Sequence, residues 1–111
     1  MKNFHNSKIL IAEDNYDSRV MLRTFLENLD YRVVEAENGE EAVRLARQEK
    51  PDLILMDLNM PVLDGVTAAM TIRQLAELSD IPIIANSAEG GFGIDLFLNI
   101  RKMGKGYIGY M

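Results

Sequence analysis

Polar side chains that could share one chemical task follow three apolar segments of this sequence. Glu13 and Asp14 follow residues 9–12, Asp57 follows residues 53–56, and Ser87 follows residues 82–86. A short apolar run bounded by turn signals is typical of a strand that is buried on both faces of a parallel sheet. Ligands bind at the carboxyl ends of strands in open α/β sheets, so these residues are candidates for a functional site.

Two or three carboxylates that meet at one sheet edge repel one another unless a cation lies between them. Such oxygen ligands suit Mg²⁺, which takes one or two carboxylates, water and a phosphate oxygen. Each residue alone has a plainer interpretation: Asp57 as a turn or capping residue, Glu13 and Asp14 as favourable charges at a helix N-terminus, and Ser87 as a turn residue. Their joint occurrence after strands that are expected to be central favours a site.

The elements that would position these residues alternate along the chain. Apolar residues of the first helix recur at i, i+1, i+4, i+5 and i+8, which predicts one buried face made of Met21, Leu22, Phe25, Leu26 and Leu29. The third helix has its apolar positions at Val66, Ala69, Met70, Ile72 and Leu75. The predicted strands are 8–12, 31–36, 53–57, 82–86 and 107–111, and the predicted helices are 16–29, 40–49, 64–78 and 94–103. This alternation indicates an α/β fold, a single domain over residues 1–111 with a doubly wound parallel sheet of five strands in the flavodoxin-like order 2-1-3-4-5.

Composition narrows the function further. The net charge of −5 argues against direct binding of nucleic acid, which requires a basic patch. No apolar run approaches the length of a membrane span, so we expect neither a membrane partner nor a membrane location. The chain has no cysteine, which excludes thiolate sites and is compatible with the cytoplasm, where we expect the protein to act. The one histidine, His5, lies in the polar N-terminal segment and is expected to be solvated.

Four segments together resemble the receiver domains of response regulators and hybrid histidine kinases in two-component signalling. They are Ile9–Asn15, Asn38–Ala42, Met56–Gly65 and Ile81–Ala88. The resemblance covers the chain from Lys8 onward, and the block Met-Asp-Leu-Asn-Met-Pro-x-x-Asp-Gly with an upstream Glu-Asp-Asn is specific. It implies a signalling domain of a phosphorelay rather than an enzyme, although such a domain assists its own phosphorylation and dephosphorylation.

The resemblance also implies a role for each site residue. Asp57 would accept a phosphoryl group from the phosphohistidine of a histidine kinase or phosphotransfer protein. Asp14 and Asp57 would bind Mg²⁺, with Glu13 acting largely through water and the backbone carbonyl of Asn59 completing the ligands. Ser87 would hydrogen-bond the phosphoryl group as the switch hydroxyl.

Two further positions match the family, and one feature departs from it. Ala88 would leave room for the phosphoryl group, and Tyr110 matches the aromatic switch of the fifth strand. The Lys-Pro pair that ends this strand in the family would fall beyond Met111, and neither Lys102 nor Lys105 is assigned its role. The family's last helix is also missing, so an apolar face beside the first helix would be uncovered. We therefore expect a chain that either is truncated at its C-terminus or forms a homodimer or exchanges segments through this face.

Three functions remain in competition at this point. The first is a phosphoacceptor domain that uses Asp57 and Mg²⁺. The second is a receiver-like interaction module that is not phosphorylated, or a truncated form with impaired switching, which the missing lysine favours. The third is a small hydrolase with Asp57 as nucleophile, and it is opposed by Asn59, which stands where an Asp-x-Asp motif would require an acid.

Overall fold

Strands and helices alternate along the chain from the first strand to the fourth. The structure is a computed structural model that describes residues 7–57, 60, 62–86 and 108–110. The strands are β1 (Lys8–Ala12), β2 (Arg32–Ala36), β3 (Leu53–Asp57), β4 (Ile83–Asn86) and β5 (Ile108–Tyr110). The helices are α1 (Tyr16–Asn28), α2 (Gly39–Glu49) and α3 (Gly65–Gln74), followed by a short 3-10 helix at Ala76–Leu78. The predicted fourth helix, 94–103, lies outside the described residues.

All five strands form one parallel sheet in the order β2-β1-β3-β4-β5, which confirms the predicted topology. Ala12 at the end of β1 is in register with Met56 of β3, and Met56 is in register with Ala85 of β4. The carboxyl ends of these three neighbouring strands therefore reach the same edge of the sheet. This edge carries the acidic residues that follow β1 and end β3.

Side chains of the central strands alternate between two apolar cores, one on each face of the sheet. Leu10 and Ile54 are fully buried on the face that α2 and α3 cover. Ile9 and Leu55 are buried on the opposite face, which α1 covers. Helices on both faces are the mark of a doubly wound sheet, and they explain why β1 and β3 are apolar at consecutive positions.

The buried face of α1 is narrower than its apolar periodicity predicts. Leu22 and Leu26 are buried against the sheet, whereas Met21 is 61% exposed and Phe25 is 43% exposed. Successive helical residues are turned by about 100°, so Met21 and Phe25 point away from the line along which α1 meets the sheet. The prediction that all five apolar residues of this helix form one core face was therefore wrong for these two.

The third helix also differs from its prediction. It ends at Gln74 rather than at residue 78, because Leu75 has an extended backbone conformation and a 3-10 helix follows. Leu78 is nevertheless fully buried, so its apolar side chain packs in the core although the α-helix has already ended. Ala69 and Ile72 face the core as predicted, but Val66 and Met70 are about half exposed.

Each of the three helices begins with a capping side chain supplied by the loop at the carboxyl end of the preceding strand. Asn15 accepts a hydrogen bond from the backbone N–H of Ser18 (2.9 Å), and Asn38 accepts one from Glu41 (2.8 Å). Asp64 caps α3 in the same way. Such caps fix where a helix begins, and hence the length and path of each loop at the site edge. Within the described part of the chain, none of the helices has the length and hydropathy to cross a membrane.

Candidate functional site

Three carboxylates converge at the edge of the sheet where β1 and β3 end. Oxygen atoms of Glu13, Asp14 and Asp57 all lie within 4.8 Å of one another. Glu13 and Asp57 are brought together by the register of β1 with β3, since each follows one member of the Ala12–Met56 pair. The convergence predicted from the sequence is therefore confirmed for these three residues.

The three carboxylates differ in exposure, from a buried inner group to an exposed outer one. Glu13 is only 4% exposed, Asp57 is partly buried, and Asp14 is exposed to solvent. A ligand would thus reach the cluster from the side of Asp14, while Glu13 forms the closed end. The cluster is therefore accessible to solvent at Asp14 and desolvated at Glu13.

Glu13 is held by hydrogen bonds on its backbone and on its side chain. Its N–H donates to the carbonyl of Ala36 (3.1 Å), and its carbonyl accepts from Nη1 of Arg19 (2.9 Å). Its Oε2 accepts from the N–H of Asn15 (3.2 Å). The inner carboxylate is therefore fixed in place by the neighbouring strand, by α1 and by its own turn.

Burial and the neighbouring acids raise the pKa of Glu13 from 4.5 to about 7. Desolvation is the largest cause, and a side-chain hydrogen bond with Asp57 and the charge of Asp57 act in the same direction. The hydrogen bond from Asn15 partly opposes them by stabilising the charged form. A carboxyl group whose pKa is raised in this way favours binding of a proton or a cation over remaining a free anion.

The set of donors at this edge fits a hard divalent cation. All three side chains offer oxygen atoms, which Mg²⁺ prefers, and an exposed side remains for water or an anionic ligand. The positive charge of a cation would also offset the repulsion between Glu13 and Asp57, which contributes to the raised pKa of Glu13. These residues are therefore suited to hold Mg²⁺ beside Asp57.

The other predicted site residues lie at or beyond the limits of the description. Ser87, Ala88 and Asn59 lie outside the described residues, so their roles stay predictions. Tyr110 lies on β5, where its backbone is in register with Ala85 of β4. This places residue 110 on the strand expected for it, and its proposed role as a switch also stays a prediction.

Leu63, which lies just before α3, is in close contact with Gly39 at the start of α2. A Cβ atom added to Gly39 would overlap the backbone carbonyl oxygen of Leu63, so only glycine allows this approach. Gly39 follows the Asn38 cap and is buried, while Leu63 lies six residues beyond Asp57. The turn at the end of β2 thus supports Leu63 in the segment that follows Asp57.

Sequence reasoning missed Arg19, which touches the backbone of the inner carboxylate residue. Arg19 is 6% exposed although it is charged. A signal for its burial is present in the sequence, because Arg19, Leu22 and Leu26 are spaced i, i+3 and i+7 and share one helix face. A charged residue that lies on the apolar face of a helix is expected to be buried and to have a partner of opposite charge, rather than to be solvated.

A second concavity, of about 690 Å³, lies between α2 and α3 on the outer surface. Its lining includes the side chains of Val43, Arg47, Leu63 and Thr71. None of the three clustered carboxylates lines it, and its walls mix both signs of charge with apolar atoms. The groove is therefore separate from the acidic cluster.

A five-stranded parallel sheet with an acidic cluster at its switch point defines a class of α/β domains, and comparison with known proteins identifies the family. The model of the response regulator receiver domain matches residues 9–104. Protein PilH of Pseudomonas aeruginosa is 45% identical over 78 residues, which cover 70% of this chain and 64% of that protein. The transcriptional regulatory protein ResD of Bacillus subtilis is 40% identical over 90 residues, or 81% of this chain and 36% of ResD. The chain thus spans between about a third and two thirds of these relatives.

Solved structures show the same relationship. The receiver domain of the sensor histidine kinase PA1611 from Pseudomonas aeruginosa, which has a magnesium ion coordinated in its active-site cleft, superposes with a TM-score of 0.76. It is 33% identical, and the match covers 96% of this chain and 84% of that one. The chemotaxis protein CheY4 of Vibrio cholerae gives a TM-score of 0.75 at 26% identity, covering 95% and 84% of the two chains. The chain belongs to the response regulator receiver domain family of two-component systems.

Proposed function

We propose that this domain is a phosphoacceptor: Asp57 takes a phosphoryl group from the phosphohistidine of a histidine kinase or phosphotransfer protein. The observation that carries the proposal is the convergence of Glu13, Asp14 and Asp57 within 4.8 Å at the ends of β1 and β3. Family membership and the magnesium ion in the PA1611 receiver domain support the same assignment.

In the proposed reaction one oxygen of the Asp57 carboxylate attacks phosphorus. The bond between phosphorus and the histidine nitrogen breaks, the nitrogen keeps the electron pair, and an acyl phosphate forms on Asp57. Phosphoryl transfer depends on positioning and on charge stabilisation rather than on a strong protein acid or base. The described carboxylates would supply the positioning, and the cation that they would hold would supply the charge stabilisation.

Mg²⁺, when bound, would neutralise charge on the phosphoryl oxygens. We assign its ligands to Asp14, Asp57 and the carbonyl of Asn59, with Glu13 acting largely through water. Glu13 is fixed by three hydrogen bonds, so the inner wall of the site is already formed. We assign Ser87 as the hydroxyl that hydrogen-bonds the phosphoryl group and Tyr110 as the aromatic residue that responds to it.

The test is incubation with acetyl phosphate and Mg²⁺, followed by measurement of the intact mass. We expect one phosphoryl adduct on the wild type, none on Asp57→Asn, and no adduct on the wild type when Mg²⁺ is chelated. Asp64→Asn is the matched control, because it removes an exposed carboxylate but keeps an oxygen that can cap α3. A folded wild-type protein that gains no adduct, or an adduct that persists in Asp57→Asn, would contradict the proposal.

A second candidate function is a protein-interaction module that acts without phosphorylation. It is favoured by the exposed apolar side chains of Met21 and Phe25, which lie beside the buried residues of α1. In this candidate function a second copy of the chain or an exchanged segment would cover this surface. Light scattering at high protein concentration tests the self-association: a monomer there would rule out the homodimer and the exchange.

A further inference from the structure

Arg19 is a buried cation that joins three elements of the fold. Its Nε donates to Glu35 (3.1 Å), its Nη2 to Glu37 (3.2 Å) and its Nη1 to the backbone carbonyl of Glu13 (2.9 Å). Its guanidinium also lies 5.5 Å from the ring centroid of Tyr16. The planar group thus connects α1, the end of β2 and the turn that carries the inner acid of the site.

The backbone of Glu13 is held by two contacts from outside the turn that follows β1. The N–H of Glu13 donates to Ala36 at the end of β2, and its carbonyl accepts from Arg19. The register of β1 with β2 ends at Ala12 and Ala36, and the hydrogen bond from the N–H of Glu13 to Ala36 is the last one that β2 makes with this backbone among the described residues. Among the described residues, Arg19 is therefore the group that holds the backbone carbonyl of Glu13.

We propose that Arg19 is a positioning residue of the acidic site: it holds the Glu13 backbone so that the three carboxylates can share one divalent cation. This inference rests on the proposed Mg²⁺ site. Glu35 and Glu37 offset the positive charge of Arg19, so its effect is transmitted through position rather than through net charge. Groups of this kind, which orient a ligand residue without touching the metal, set affinity in many metal sites.

A purely structural role would have a different signature. If Arg19 only joined α1 to β2, its removal would lower the free energy of unfolding but leave the Mg²⁺ affinity of the folded protein unchanged. Arg23 provides a matched control, because it lies one turn further along α1 and also pairs with Glu35 (2.7 Å). Among the described residues its other ion pair is with Glu27, and none of its hydrogen bonds reaches Glu13.

The experiment measures Mg²⁺ binding by isothermal titration calorimetry for the wild type, Arg19→Met and Arg23→Met, with urea unfolding of the same samples. We expect Arg19→Met to bind Mg²⁺ about tenfold more weakly, within the range typical of lost outer-shell partners, and Arg23→Met to keep the wild-type affinity. Both variants are expected to be less stable than the wild type, since each loses ion pairs with Glu35.

Arg19→Lys keeps the charge but cannot reach three separated acceptors at once, and it decides the result if Arg19→Met does not fold. Weaker Mg²⁺ binding by folded Arg19→Lys or Arg19→Met, with Arg23→Met unchanged, supports the inference. Wild-type affinity in a folded Arg19 variant, or equal weakening in Arg23→Met, overturns it. A wild-type protein without Mg²⁺ affinity is a distinct outcome, which overturns the proposed metal site together with the inference.

Discussion

The buried carboxyl group of Glu13 should make the stability of this domain fall as the pH rises when no divalent cation is present. Below about pH 4.5 the group is protonated in both the folded and the unfolded chain. Between 4.5 and about 7 the unfolded chain has released the proton while the folded protein retains it, because burial and Asp57 raise the pKa of Glu13 in the fold. The free energy of unfolding therefore decreases across this window and levels off above it.

The size of the effect follows from the two pKa values. A pKa difference of about 2.5 corresponds to roughly 3 kcal/mol at about 1.36 kcal/mol per pKa unit. Asp14 is exposed and Asp57 is partly exposed, so water and salt screen the cluster. We therefore expect a loss of roughly 2 kcal/mol between pH 4.5 and pH 8 from this group.

Urea unfolding followed by circular dichroism at pH 4.5 and pH 8, in a chelating buffer, measures this loss directly. Glu13→Gln keeps the shape of the side chain and cannot ionise, so it should remove most of the loss and be the more stable protein at pH 8. Mg²⁺ at pH 8 should restore stability to the wild type and much less to the variant. Glu40→Gln, which removes an exposed carboxylate of α2, is the control. Equal pH dependence in the wild type and in Glu13→Gln would refute this reasoning.

Two further substitutions test contacts that support the site and its scaffold. Gly39→Ala should destabilise the fold by roughly 1–3 kcal/mol, because its methyl group would overlap the carbonyl of Leu63. The same substitution should lower the rate of phosphorylation by acetyl phosphate. Glu40→Ala, at the next position, is the control and should change neither the stability nor the rate. Arg73→Met should lower the free energy of unfolding, measured in urea, by roughly 2 kcal/mol, because the guanidinium of Arg73 donates to three backbone carbonyls between residues 78 and 81. Arg44→Met, on the exposed side of α2, is the control and should stay within about 0.5 kcal/mol of the wild type.

The topology and the acidic cluster could be predicted because both depend on strong local signals. The apolar runs before Glu13 and Asp57 indicate strands buried on both faces, and such strands require helices above and below. Parallel strands then bring their carboxyl ends to a common edge, which is where the two acids meet. Nothing beyond the order of the strands was needed to predict this convergence.

Details that depend on how a helix is rotated against the sheet could not be predicted. Periodicity places Leu22 and Phe25 on overlapping faces, yet only one of them is buried, because the width of the contact is set by the strands beneath. The end of α3 depends on the backbone of Leu75 and on Arg73, which donates to the carbonyls that follow. The burial of Arg19 could be inferred from its helical spacing, but its partners could not, because Glu35 and Glu37 belong to another element and the sequence does not show that they meet.

The acidic site exists only while β1 and β3 are paired. Asp14 and Asp57 are 43 positions apart, and no hairpin or local turn brings them together. A fluctuation that separates these two central strands breaks up the site, so the opened state loses the binding free energy of any ion held there. A bound cation would therefore slow amide hydrogen exchange most in the middle of the sheet, far from the surface at which it enters.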